Sequence, residues 1–84
     1  MASPTKKMRY KPFSVNLRKL RVSRGISQTD LAFALDSTQP VISSYEGGRC
    51  EPPLEMLVRI AAYFCVNVDL LLDEKSYELM EEKQ

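Results

Sequence analysis

Apolar residues recur three and four positions apart between residues 13 and 72, and glycine, proline and small polar residues interrupt the pattern at short intervals. A period of three to four residues places apolar side chains on one face of an α-helix, whereas a strand requires strict alternation. The sequence shows no such alternation. The pattern therefore predicts an all-α chain of five short helices around one core.

The first two helices have recognisable ends. We expect the first helix to cover about residues 13–24, with Gly25 ending it in a left-handed conformation. Ser27 and Asp30 have the spacing of a capping box, in which the serine side chain accepts the amide proton of the third helical residue. The second helix is therefore expected to begin at Ser27.

The remaining helices are bounded in the same way. Thr38 is expected to cap a third helix with Pro40 in its first turn, and the glycines at 47–48 end it. A fourth helix is expected over residues 54–64, and Asn67 is expected to cap a fifth. The side chains predicted to face the core up to residue 64 are Phe13, Leu17, Leu20, Leu31, Ala32, Leu35, Ile42, Tyr45, Leu54, Leu57, Ile60, Ala61 and Phe64.

Composition excludes several kinds of chemistry. The 84 residues suffice for one small domain, and the absence of histidine removes Ser-His and Cys-His catalysis and the usual metal ligand. The sequence has no phosphate-loop motif, no run of about 20 apolar residues and no secretory signal. We therefore expect a cytoplasmic protein that is not an enzyme and has no cofactor, metal or membrane segment. Cys50 and Cys65 are interpreted as free thiols, with a disulfide as the alternative.

Charge divides the chain into two halves. Residues 1–49 hold nine lysines and arginines against three acids, a balance of +6, and residues 50–84 hold three against eight, a balance of −5. One interpretation is a basic half that meets a polyanion and an acidic half that faces away from it. The other is a solvated surface with uneven charge. Charge alone does not decide between them.

Two short helices joined by a tight turn over residues 27–47 have the form of a helix-turn-helix. Residues 25–32 (GISQTDLA) and 42–48 (ISSYEGG), followed by Pro52, Leu54, Leu57, Ile60, Ala61 and Val66, resemble the Cro/phage-repressor family, the XRE-type helix-turn-helix. The resemblance runs without gaps over about residues 13–72. It implies a compact five-helix, lambda-repressor-like domain, with helices 2 and 3 as the helix-turn-helix. The expected domain is 13–72, with a flexible basic arm over 1–12 and an acidic tail over 73–84.

The resemblance also implies a function, which is sequence-specific binding of double-stranded DNA by a transcriptional regulator. Residues 38–47 would lie in the major groove of an inverted-repeat operator. Gln39 is the main candidate for a base contact, because a carboxamide pairs with adenine through two hydrogen bonds, although a solvated glutamine is the alternative. The other candidates for base contacts are Pro40, Ser44 and Val41, of which Val41 is placed either to touch a thymine methyl group or to pack against the turn.

Phosphate contacts are expected from a second set of residues. Gln28 resembles the family glutamine that holds a phosphate. The further candidates are Thr38, Ser43, Arg49 and the arm residues Lys6, Lys7, Arg9 and Lys11. The arm is interpreted either as a DNA contact or as a disordered solubilising tail.

Some positions depart from the family pattern, and one pair follows it. Asp36 replaces a glycine in the turn, and aspartate tolerates the left-handed backbone that such a turn needs. Pro53 replaces the serine that usually caps the fourth helix, and Cys65 replaces the glycine that commonly ends it. Gly47 replaces a longer polar residue. The resemblance further implies that Arg21 and Glu46 form an ion pair across the interior, joining the first helix to the third.

A homodimer is expected from the leucines of the fifth helix. Leu70, Leu71 and Leu72 span about 200° of the helix surface, so that at least one of them cannot face the core. The residues assigned to the dimer interface are Tyr63, Val68, Leu70, Leu72 and Tyr77. The alternatives are a monomer whose leucines are covered by residues 73–84 and, at the level of function, an antitoxin-type module that binds a partner protein and its own promoter.

Overall fold

The computed structural model describes residues 11–73, and within that range it contains five α-helices and no strand. The helices are α1 (Lys11–Ser23), α2 (Gln28–Ala34), α3 (Gln39–Glu46), α4 (Leu54–Phe64) and α5 (Val68–Leu72). Helix α1 packs against α3 and α5, α2 packs against α3, and α4 packs against α5. The all-α, five-helix prediction is confirmed. No helix between residues 11 and 73 combines the length and the apolarity needed to cross a bilayer.

Helix α1 begins two residues earlier than predicted, at Lys11, so that Lys11 and Pro12 belong to the helix rather than to an arm. Proline is tolerated there because the first helical turn needs no amide hydrogen from it. The end of α1 is as predicted, since Gly25 has φ +70° and donates its amide hydrogen to Val22 O over 2.9 Å. The chain therefore turns sharply into α2.

The predicted cap residues stand at the starts of all three helices, but only Ser27 makes the side-chain hydrogen bond of a cap. Ser27 Oγ accepts from Asp30 N at 3.0 Å, and Asp30 Oδ2 accepts from Ser27 N at 3.2 Å, which completes the capping box of α2. Thr38 and Asn67 occupy the cap positions of α3 and α5, but their side chains make no cap hydrogen bond.

The backbone explains why the side chains of Thr38 and Asn67 make no cap hydrogen bond. Pro40 has no amide hydrogen to offer the Thr38 side chain, and the amide of Val41 already donates to Thr38 O at 3.1 Å. The amide of Leu70 likewise donates to Asn67 O at 3.1 Å. In both helices a backbone carbonyl takes the hydrogen that the side chain was expected to accept.

The core is a single apolar cluster drawn from all five helices. Its buried members are Phe13, Leu17, Leu20, Leu31, Ala32, Leu35, Ile42, Tyr45, Ile60, Ala61, Phe64 and Leu71. Leu54 was predicted to belong to it and is 72% exposed. Leu54 is the first residue of α4, and Leu57 one turn later is only partly buried. On this face of α4 the first fully buried side chain is therefore Ile60.

Two polar side chains of α1 hold other helices in place. Ser14 Oγ donates to Tyr45 O at 2.7 Å, near the end of α3. Asn16 is fully buried, and its Nδ2 donates to Leu70 O and Leu71 O at 2.9 Å each and to Asp73 O at 3.2 Å. These bonds satisfy carbonyls at the end of α5 that have no partner within that helix.

Among residues 11–73, two residues other than glycine have a left-handed backbone. Asp36 has φ +58° in the turn between α2 and α3, and Cys65 has φ +59° at the end of α4. Both stand where the family pattern has glycine. The expectation that the turn survives with Asp36 is confirmed.

Candidate nucleic-acid interface

A tight turn joins α2 to α3 and fixes the angle between them. The amide of Asp36 donates to Phe33 O at 3.1 Å and the amide of Ser37 to Ala32 O at 2.8 Å. Helix α3 then buries Ile42 and Tyr45, and the Tyr45 ring meets that of Phe13 edge to face with 5.9 Å between centroids. With this side anchored in the core, the opposite side of α3 faces outward.

The four residues of α3 predicted to contact bases differ in how accessible they are. Gln39 and Pro40 are exposed at its start, and Ser44 is partly buried. Val41 is partly buried and packs against the core. The most accessible groups of this helix therefore lie in its first turn.

Gln39 and Gln28 lie side by side although they come from different helices. Gln39 Nε2 donates to Gln28 Oε1 at 2.8 Å, and Gln28 Nε2 donates to Glu46 Oε1 at 3.0 Å. The residue predicted to contact a base thus adjoins the residue predicted to contact a phosphate.

Glu46 is also the partner of Arg21, as the family resemblance implied. Arg21 Nε donates to Glu46 Oε2 at 2.6 Å and Arg21 Nη2 to Glu46 Oε1 at 3.0 Å, while Nη1 donates to Ile26 O at 2.8 Å. The side chains of Arg21 and Glu46 are 12% and 4% exposed. Its hydrogen bonds with Glu46 raise the pKa of Arg21 above its ordinary value, against the opposing effect of burial.

Arg49 and Ser43 meet beside the end of α3. Arg49 Nη2 donates to Ser43 Oγ at 3.4 Å, a long contact, and the guanidinium lies so close to Gly47 that a Cβ there would come within 2.6 Å of Nη1. Gly47 therefore provides the space in which Arg49 folds back onto α3. Thr38 is exposed at the other end of this helix, and its hydroxyl is not used for capping.

The predicted residues of the arm and the tail lie outside the described part of the chain or at its edge. Lys6, Lys7, Arg9 and Tyr77 lie outside residues 11–73, and for Lys11 only the backbone at the start of α1 is described.

The positive charge of the first half lies outside the helix-turn-helix itself. No lysine or arginine occurs between residues 25 and 48, where Asp30, Asp36 and Glu46 are the charged side chains. The +6 balance comes from residues 6–24 and Arg49. The net charge summed over residues 1–49 does not show this distribution. Counting the charged residues within each predicted helix would have shown it.

The surface expected to form a dimer is only partly exposed. Tyr63 is 42% and Leu72 is 49% exposed, whereas Val68 and Leu70 are partly buried against the core. Two further apolar side chains, Leu54 and the 51%-exposed Val58, are exposed one turn apart on α4. Cys50 and Cys65 are exposed free thiols, as expected. Within residues 11–73, no three Cys, Asp or Glu side chains cluster closely enough to hold a metal ion.

Comparison with known proteins identifies the family. A helix-turn-helix family model matches residues 17–71. The chain is 36% identical over 66 residues to an uncharacterized HTH-type transcriptional regulator, YqaE, of Bacillus subtilis, with 79% of this chain and 57% of YqaE covered. It is 39% identical over 57 residues to the HTH-type transcriptional regulator DdrOP3 of Deinococcus deserti, with 68% and 44% covered.

A third relative is a prophage-derived uncharacterized HTH-type transcriptional regulator, YonR, of Bacillus subtilis, which is 37% identical over 60 residues, covering 71% of this chain and 56% of YonR. The chain thus spans about half the length of these relatives. No solved structure matches it significantly. Since the family model extends from α1 into α5, the chain belongs to the XRE-type helix-turn-helix family of DNA-binding transcriptional regulators, which are not enzymes.

Proposed function

We propose that this protein binds double-stranded DNA sequence-specifically in the cytoplasm and regulates transcription, with α3 in the major groove of an inverted-repeat operator. The observation that carries the proposal is the 2.8 Å hydrogen bond between Gln39, at the exposed start of α3, and Gln28, at the start of α2. It brings a group suited to a base edge next to a group suited to the DNA backbone. Direct recognition in the major groove requires both kinds of contact.

The hydrogen-bonding groups of Gln39 that Gln28 does not use match those of adenine. One of its N–H groups is used on Gln28, and its second N–H and its Oε1 have no protein partner among residues 11–73. Adenine offers an acceptor at N7 and a donor at N6, which match these two groups. Pro40, Val41 and Ser44 flank Gln39 as secondary contacts, and the partial burial of Val41 limits what it contributes.

The phosphate contacts surround this site. Gln28 retains a second N–H, Thr38 has a hydroxyl that capping does not use, and Arg49 reaches over the end of α3 to Ser43. Because the helix-turn-helix carries no cation of its own, we assign the remaining charge neutralisation to Lys6, Lys7, Arg9 and Lys11.

The inverted repeat follows from a homodimer. Leu72 and Tyr63 are the exposed members of the proposed interface, with Val68 and Leu70 at its edge and Tyr77 in the following segment. Two-fold symmetry then places half-site centres about 34 Å apart, which is one turn of DNA.

Selection of bound sequences from random double-stranded DNA tests the proposal, and we expect a palindromic consensus. On that operator Gln39→Ala is expected to cost about 1–3 kcal/mol in binding free energy and to cost little on random DNA, because only the base contact is lost. Glu55→Ala is the control, because Glu55 is exposed in the first turn of α4 and lies outside the helix-turn-helix. Equal losses for Gln39→Ala on both DNAs would assign Gln39 to the phosphates, and a pool without enrichment would contradict sequence-specific binding.

Salt dependence tests the arm. Affinity is expected to fall steeply with salt, because bound cations leave the phosphates when the protein binds. Removing residues 1–10 deletes Lys6, Lys7 and Arg9 and leaves the start of α1 intact. If all three contact phosphates, the slope of log K against log salt becomes shallower by about 2.7. An unchanged slope would show that the arm is a passive tail.

A further inference from the structure

The chain leaves α3 through a backbone turn that brings Arg49 back against the helix. Gly48 has φ +72°, a left-handed conformation that glycine adopts without steric cost. Its amide donates to Tyr45 O at 3.2 Å, and the amide of Arg49 donates to Ser44 O at 3.0 Å. These two bonds form a Schellman motif, which ends the helix and fixes the backbone of Arg49 beside the last turn of α3.

The side chain of Arg49 lies over Gly47. A Cβ at position 47 would come within 2.6 Å of Arg49 Nη1 and 3.2 Å of Arg49 Cζ, so any larger residue there would push the guanidinium away from α3. The same Cβ would lie 3.2 Å from Ser43 O, a tight contact that a small shift relieves. The backbone itself does not require glycine, because φ is −86° and ψ is −2° at this position, which alanine adopts readily. What requires glycine is the position of the Arg49 side chain.

Ser43, one turn before Gly47, is the polar group that the guanidinium reaches. Arg49 Nη2 donates to Ser43 Oγ at 3.4 Å. Because the serine oxygen accepts this hydrogen, its own hydroxyl hydrogen can go to a phosphate oxygen, and so can the other N–H groups of the guanidinium. The two side chains together therefore offer several donors to one phosphate.

Arg49 is also the only lysine or arginine between residues 25 and 58. It is thus the one cation that this stretch, which contains the helix-turn-helix, can bring to the DNA. A long side chain loses rotamer freedom when it binds a phosphate, and it loses less if the protein already holds it in place. Holding Arg49 against α3 before binding should therefore increase the affinity for DNA.

We propose that Gly47 is a positioning residue for DNA binding, because its missing Cβ lets Arg49 fold back onto Ser43 and form one preorganised phosphate site with it. This inference rests on the proposed function, since it concerns the way in which Arg49 contacts the DNA backbone. A phosphate contact carries no sequence information. The contribution of Gly47 is therefore the same on the operator and on random DNA.

A double-mutant cycle over positions 47 and 49 tests the proposal, with affinity measured on the selected operator and on random DNA. Arg49→Met should weaken binding to both DNAs alike and make the slope of log K against log salt shallower by about 0.9. Gly47→Ala keeps the charge but displaces it, and should weaken binding to both about two- to tenfold. In the double variant Gly47→Ala should cost nothing beyond the loss from Arg49→Met, because no guanidinium is left to displace.

Arg59→Met is the matched control, since it removes the same charge from an exposed position on α4, outside the helix-turn-helix, and should leave the salt slope unchanged. Urea unfolding of each variant separates positioning from stability. Gly47→Ala should keep or raise the free energy of unfolding, because alanine loses less backbone entropy on folding than glycine does. A lower free energy of unfolding would instead assign Gly47 a merely structural role.

The outcomes separate the inference from the function on which it rests. If Arg49→Met changes neither the affinity nor the salt slope, the phosphate contact assigned to Arg49 is itself wrong, and the inference fails with it. If Arg49→Met weakens binding and Gly47→Ala does not, the positioning role is overturned while the phosphate contact stands. The same conclusion follows if the loss from Gly47→Ala persists at full size in the double variant, because the Cβ would then act without Arg49.

Discussion

Replacing Glu46 by alanine is expected to destabilise the protein more than most single substitutions. The substitution removes the carboxylate that accepts from Arg21 Nε and Nη2 and from Gln28 Nε2, and leaves Ile26 O as the one hydrogen-bond partner of the guanidinium among residues 11–73. Since the Arg21 side chain is only 12% exposed, water cannot fully replace the lost partner. The cost therefore comes mainly from the stranded positive charge rather than from the lost attraction.

The magnitude follows from this burial. Removing one partner of a buried ion pair costs roughly 3–5 kcal/mol, whereas exposed pairs contribute about 0–1 kcal/mol. At about 0.05–0.15 kcal/mol per residue, a domain of this size has a total unfolding free energy of only about 4–13 kcal/mol. The substitution would thus remove a large share of it. We expect the melting temperature to fall by at least about 12 °C, because each kcal/mol shifts a small domain by several degrees.

Because the chain has no tryptophan to report unfolding by fluorescence, urea unfolding is followed by far-ultraviolet circular dichroism, which gives the change in unfolding free energy. Glu55→Ala is the control, since Glu55 is exposed in the first turn of α4 and should cost less than about 1 kcal/mol. The double variant Arg21→Met/Glu46→Met provides the second arm. Because it leaves no charge stranded, it should be more stable than Glu46→Ala. A loss below about 1 kcal/mol for Glu46→Ala would refute the reasoning, and so would a double variant that is less stable than Glu46→Ala.

Three further predictions concern other parts of the fold. Cys65→Gly should raise the unfolding free energy by about 0.5–1 kcal/mol, because φ is +59° at this exposed position, and Cys65→Ala should not. Burial raises the pKa of Tyr45 above 10.0, with a smaller contribution from Cys50, so the folded phenol keeps its proton after the unfolded one has lost it. The contribution of Tyr45 to the free energy of unfolding is complete below about pH 10 and declines above it. In urea titrations between pH 8 and 11, the unfolding free energy of Tyr45→Phe should therefore fall less steeply than that of the wild type. Leu72→Glu should convert a dimer into a monomer in sedimentation at micromolar concentration; a wild-type monomer with full affinity for one half-site would refute the dimer.

The sequence predicted those parts of the structure that depend on neighbouring residues. Gly25 ends α1 and Ser27 caps α2, because a left-handed turn and a capping box involve groups within three or four positions of each other. The buried pair of α3, Ile42 and Tyr45, followed from helical periodicity in the same way. The family resemblance added Arg21 and Glu46, which are 25 residues apart and beyond any local pattern.

Local signals were insufficient where backbone groups or distant helices compete for the same partner. Thr38 has the residue type of a cap, but the proline two positions later removes one amide and the backbone takes another. Leu54 has the periodicity of a core residue, but its position at the first residue of α4 leaves it exposed. A cap residue type and a helical period are each compatible with a bonded or an unbonded side chain and with a buried or an exposed one. Which of these forms depends on the groups that folding places beside the residue.

The sequence by itself thus determined the five helices, the helix-turn-helix and the outward position of Gln39 and Pro40. Only the tertiary structure decided how the side chains of that surface are oriented. Asn16 and Leu71 are 55 residues apart, and the order Glu46, Gln28, Gln39 joins the two ends of α3 through a residue of α2. The physical reason is that periodicity fixes the direction in which a side chain leaves its helix, whereas the orientation of a carboxamide depends on the donors and acceptors that folding brings beside it.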